Sequence, residues 1–197
     1  MSSAENIRNA FYVVHKTYQN IEKLIDYCKT VAPDESNYVP AVDKFLRYKS
    51  DSNLTGWFIP NFIMLFQNKN DMELENEWRE GPIYVMEIEL YNPEGGLEGS
   101  SQLPQMRLSK FTYESLQNWA PGCSPTNHWR FFYPLRRHDI MSIKVKEADY
   151  MELEVADKEA SNRYYWGVQT ITSRQIPLTE ITADNAIQKI FQTFDRL

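Results

Sequence analysis

The seventeen residues MSIKVKEADYMELEVAD, Met141 to Asp157, limit the fold more than any other part of the chain. Met141, Ile143 and Val145 alternate with polar residues, and after a break at Glu147, Ala148 and Asp149 the trio Met151, Leu153 and Val155 does the same. A period of two places each trio on one side of a strand. The break is far too short for a crossover helix, so the two strands must pair antiparallel. The segment RYYWGVQTIT from Arg163 follows closely and is expected to add a third strand to the meander.

The same pattern extends upstream. In GWFIPNFIMLFQ a nearly unbroken apolar run implies a strand buried on both faces, starting at Asn61 because Pro60 has no N–H for a ladder. Tyr84, Met86, Ile88 and Leu90 alternate with Val85, Glu87 and Glu89, which predicts a half-buried strand. The Gly- and Pro-containing stretch between Tyr91 and Met106 is expected to be a loop. MRLSKFTY is expected to be a strand, ESLQNWAPGCSPTN a helical turn and loop, and HWRFFYPL another strand with Trp129, Phe131 and Tyr133 on one side.

Helical spacing dominates the two ends of the chain. Ser2 and Glu5 form a capping box ahead of Ile7, Phe11, Val14, Tyr18, Ile21, Ile25 and Cys28, with Pro33 as the expected stop. Steps of four and three make a heptad seam, which suits a partner helix. Val13, Leu24 and Val31 widen the stripe, and a wide stripe suits packing on the chain's own core. A short helix is expected from Pro40 with Val42, Phe45 and Leu46 on one side, and a terminal helix after Thr182 with Ile187, Ile190, Phe191 and Phe194. Strands bracketed by helices without βαβ alternation give an α+β class. The expected architecture is one domain over 1–197, a mainly antiparallel sheet of six to seven strands with both terminal helices on one face, or a sheet partly closed into a barrel.

Composition narrows the functional classes. Twelve Tyr, ten Phe and five Trp point to a core built on large rings. A net charge of −6 with scattered basic residues disfavours nucleic acid as a partner. The chain opens with no basic segment leading into an apolar one, and no apolar run approaches the roughly 20 residues that span a bilayer, so no membrane is expected and the cytoplasm is the expected compartment. Cys28 and Cys123 then stay as free thiols, and the sequon at Asn53 is expected to be chance.

The candidate sites are few. Glu87 and Glu89, two apart on a strand, present both carboxylates to one side, either as a solvent face or as a divalent-metal site completed by Glu152, Glu154 or His128. His15, His128 and His138 lie too far apart in sequence for a zinc motif. Cys123 near His128 is a weak candidate for a reactive thiolate. Arg130 could lie over a ring or meet a carboxylate such as Glu87, and Arg136, Arg137, His138 and Asp139 form a turn able to receive a small anionic ligand or a protein partner. No motif requires a cofactor. The expectation is a non-catalytic binding or protein-interaction module, monomer or homodimer, with a metal-dependent hydrolase using Glu87 and Glu89 as the alternative.

Overall fold

The computed structural model describes residues 2–52, 54–91 and 103–197, so both the Asn53 sequon and most of the expected glycine loop after Tyr91 lie outside the described residues. Seven strands form one sheet: β1 (Tyr38–Pro40), β2 (Asn61–Asn68), β3 (Ile83–Glu89), β4 (Gln105–Tyr113), β5 (Met141–Lys146), β6 (Tyr150–Val155) and β7 (Val168–Pro177). Their order is β1-β2-β3-β4-β7-β6-β5, with every neighbouring pair antiparallel. β1 and β5 are edges, so the sheet is open and not a barrel.

One face of the sheet carries the chain ends. Helix α1 (Ser3–Glu35) opens with the Ser2–Glu5 capping box and buries Ile21, Ile25, Cys28 and Ala32. These pack with Phe62, Met64 and Phe66 of β2, Met86 and Ile88 of β3, and Ile190, Phe191 and Phe194 of the C-terminal helical turns. We call this the helix face. Pro33 does not end α1, which runs through it to Glu35. Pro33 has no N–H to give Lys29 O, so α1 loses one rung there, while the last-turn carbonyls beyond it find other donors: Ser36 donates to Ala32 O at 2.6 Å and Lys69 Nζ to Pro33 O at 2.9 Å. At 33 residues α1 is about 50 Å long, roughly twice the reach of an eight-residue strand. Its first half therefore overhangs the sheet, leaving Ile7, Phe11 and Val13 exposed.

The opposite face is crossed by the chain between β4 and β5, because β5 joins the far edge while β7 returns beside β4. This crossover face has an apolar half, where Ile63, Leu65, Ile83, Val85, Phe111, Ile171 and Leu153 meet Trp78, Phe131, Phe132 and Leu135. Its other half, toward the start of β2 and the end of β3, is polar. Three local expectations change. Residues 42–46 form no helix, although Val42 and Leu46 still join the core and Leu46 bridges Ile63. The start of RYYWGVQTIT belongs to a helix, Lys158–Tyr165, whose Asp157 cap accepts from Ala160 N at 2.9 Å. The third change, at residues 128–135, shapes the candidate site.

Candidate functional site: an ion cluster and the turn above it

The expected strand HWRFFYPL is helical: a 3₁₀ turn Pro125–His128, an α turn Trp129–Phe132 and a 3₁₀ turn Tyr133–Leu135. Ser124 starts it by accepting from Thr126 N, its own N–H donates to Asn127 Oδ1 at 3.0 Å, and Pro125 sits where a missing N–H costs nothing. The buried residues are His128, Phe131, Phe132, Pro134 and Leu135, and all but Pro134 are spaced i, i+3, i+4, i+7. That helical stripe coexisted in the sequence with the strand-like alternation of Trp129, Phe131 and Tyr133, and the cap at Ser124 decides between them.

This segment closes the polar half of the crossover face, so Glu87 and Glu89 do not face solvent: they are 1% and 3% exposed. Arg136, at the end of the segment, reaches both. Its Nη2 donates to Glu87 Oε1 at 2.9 Å and to Glu89 Oε2 at 3.1 Å, while Nη1 donates to Phe132 O at 2.9 Å and the guanidinium lies 3.5 Å from the Phe132 ring centroid. Strand register supplies the rest. Glu87 is opposite Arg107, and Arg107 opposite Gln175, so one row crosses β3, β4 and β7. Arg107 Nε stands 3.7 Å from Glu87 Oε2, and the Gln175 carboxamide, with its oxygen turned to the guanidinium, accepts from Nη1 and Nη2 of Arg107. Asn61 Nδ2 also donates to Glu87 at 3.2 Å. Two acids and two arginines thus balance in a space with little water. Burial first, then the Glu87 charge, pushes the Glu89 carboxyl above its ordinary value against the pull of Arg136 and Arg107.

The residues expected to act together after Pro134 diverge. Arg136 turns inward. Arg137 turns outward and pairs with Asp139 through two bonds, Nε–Oδ1 at 2.9 Å and Nη2–Oδ2 at 2.6 Å, which hold the Asp139 carboxyl down to about 2. Arg137 also borders a groove of about 370 Å³ lined by Trp129, Tyr133, Ile140, Tyr164 and Tyr165. His138 faces a different cavity, with Arg107, Ser173 and Gln175.

Arg130 does not meet Glu87. Its guanidinium is sandwiched 4.3 Å from the Trp129 ring and 4.2 Å from the Trp166 ring, and Nη1 donates to Tyr164 O at 3.0 Å. Trp166 reaches this position from a left-handed φ of +57°, unusual for so large a residue. Arg130 therefore braces the wall behind the aromatic groove.

The remaining candidates separate. Glu152 and Glu154 project from the opposite side of the sheet to Glu87, since Leu153 between them shares the crossover face with Ile171 and Phe111. His128 is buried against Tyr48 and Phe132, and burial lowers its pKa. Cys123 contacts Asn127 Oδ1 at 3.7 Å, and burial pushes its thiol up to about 12, which keeps it protonated. Among the described residues no three His, Cys, Asp or Glu side chains gather to hold a metal ion, and no helix is long and apolar enough to cross a membrane. Arg107, Gln175, Tyr164 and Trp166 were not singled out in the sequence. Strand pairing, which no local pattern announces, brings in Arg107 and Gln175, whereas the Asp157 cap that starts the Lys158–Tyr165 helix is the local signal that could have found Tyr164 and Trp166. Comparison with known proteins finds no matching family model, no matching curated protein and no matching solved structure.

Proposed function

We propose that the chain is a non-catalytic binding module that takes a segment of a protein partner into the aromatic groove beside Arg137. The observation that carries this reading is the groove's make-up. Tyr133 and Tyr164 keep 37% and 42% of their surface exposed beside Trp129 and Tyr165, with Arg137 at the mouth and Arg163 5.2 Å over the Tyr164 ring. Rings with one polar end, together with arginine, supply contact area at low entropy cost and dominate binding energy at interfaces. The Arg130 sandwich and the buried Arg136 anchor fix the two walls, so little ordering is left for binding to bring about. With Arg137 already paired to Asp139, Arg163 supplies the cationic edge, which suits a segment with an apolar side chain followed by an acid. In pull-downs with the full chain, Tyr164→Ala combined with Tyr133→Ala is expected to lose partners that the wild type retains. Unchanged recovery of every partner by a folded double variant would refute the placement.

A second reading, a metal-dependent hydrolase on Glu87 and Glu89, draws on the convergence of their carboxylates upon a single nitrogen. That nitrogen is Arg136 Nη2, so a guanidinium already occupies the place a shared cation would take. Calorimetry with Mg²⁺, Mn²⁺ and Zn²⁺ is expected to show no binding heat, whereas saturable heat abolished by Glu87→Gln would reverse the preference.

A further inference from the structure

We propose that the cavity at the polar end of the crossover face is a binding site for a small oxyanion, a carboxylate or phosphate group on a molecule of a few heavy atoms. The cavity lies between β4, β7, the β5–β6 turn and the turn after Leu135, and holds about 220 Å³. Drug-sized pockets begin near 300 Å³, so the space suits a group of a few heavy atoms.

The deep wall is made of donors: Arg107 from β4, and Ser173 and Gln175 from β7. Arg107 is unequally paired. Glu87 gives its short contact, 2.9 Å, to Arg136 and stands 3.7 Å from Arg107 Nε, which has no hydrogen-bond acceptor. That Nε is sealed against Glu87, so an incoming oxygen meets the Nη1 and Nη2 hydrogens that Gln175 leaves over, on a guanidinium whose ion pair is long and where scarce water lets charge be felt strongly. Ser173 is oriented for the same task. Ser109 Oγ donates to Ser173 Oγ at 2.9 Å, which leaves the Ser173 hydroxyl hydrogen free to donate in turn.

The rim adds Lys146 and His138. Two acids stand there as well. Asp149 is tied to Arg174 at 3.1 Å, and Glu147 has no ion partner among the described residues. The anionic end of a ligand therefore seats at the wall, by Arg107 and Ser173, and any cationic or hydroxyl end is left toward Glu147. This site is separate from the aromatic groove, so either can fail without the other.

The test is a titration of the ¹⁵N-labelled full chain with sodium acetate and with inorganic phosphate, using sodium chloride to hold ionic strength constant. Saturable shifts are expected at the amides of Ser173, Gln175 and Lys146 to Tyr150, with Kd raised about tenfold or more in Arg107→Gln and in the surface variant Lys146→Glu. Saturation by acetate alone assigns a carboxylate, and by phosphate alone a phosphoryl group. Three results would overturn the proposal: no saturation by either anion, shifts centred elsewhere, or an unchanged Kd in a folded Lys146→Glu variant.

Discussion

The two faces of the sheet are covered in different ways, and the difference separates packing from specification. The helix face is sealed by long apolar side chains from both chain ends, with Phe66, Phe191 and Phe194 fully buried among methionines and aliphatics. Such a surface is non-directional and tolerates exchange of one apolar shape for another of like volume. The crossover face is apolar over one half and ionic over the other, and its cover is a chain of single helical turns. Burying Glu87, Glu89, Arg107 and Arg136 is costly unless each finds its partner, so that half fixes one position of the 125–139 segment and, through it, the directions of Arg137 and His138.

The contrast is broken most forcefully by single truncations on each face. Phe191→Ala is expected to cost about 3–5 kcal/mol by leaving a cavity, and Arg136→Met a similar amount, about 3–5 kcal/mol, by leaving two carboxylates to one arginine. The recoveries should differ. Replacing Glu87, Glu89, Arg107 and Arg136 together by leucines and methionines is expected to regain most of the second loss in urea unfolding, whereas adding Phe194→Ala to Phe191→Ala deepens the first. If the fourfold change proved as destabilising as Arg136→Met alone, the cluster would be a source of stability and not of specificity.

A smaller effect is expected with pH. Since Glu89 ionises less readily in the folded chain than at its ordinary 4.5, the folded state holds the proton more tightly. The stability this group contributes is full below that value and is lost as pH rises through the folded value. In Glu89→Gln, melting measured from about pH 4 to about pH 8 should show Tm, relative to wild type, climbing with pH. A flat difference would mean that Arg136 compensates the carboxylate completely.

How far the sequence revealed this arrangement follows the same division. The helix face was legible: Ile21, Ile25 and Cys28 at one end and Ile190, Phe191 and Phe194 at the other are local periodic patterns, and the start of β2 after Pro60 follows from one missing N–H. The crossover face was not. Glu87 and Glu89 look like a solvent side until something 47 to 49 residues away covers them, and no local pattern announces Arg136 as that partner. At residues 128–135 two periodicities overlapped, and the Ser124–Pro125 start carried the deciding signal. The first half of α1 shows the reverse failure, since its stripe continues unbroken past the edge of the sheet that would bury it.

The strand order also governs how the chain gets there. β1 to β4 pair with near neighbours, and β5 to β7 do the same, but β4 and β7 join across residues such as Ser109 and Ser173, 64 apart. Closing that loop costs roughly 1 kcal/mol more entropy than closing the 22-residue span between Met64 and Met86. The two halves are therefore expected to zip early and their seam late. The Glu87–Arg107–Gln175 row straddles the seam, so its charges remain in water until nearly all other pairing is complete, and the cavity walled by Arg107 and Gln175 is among the last parts of the molecule to acquire a shape.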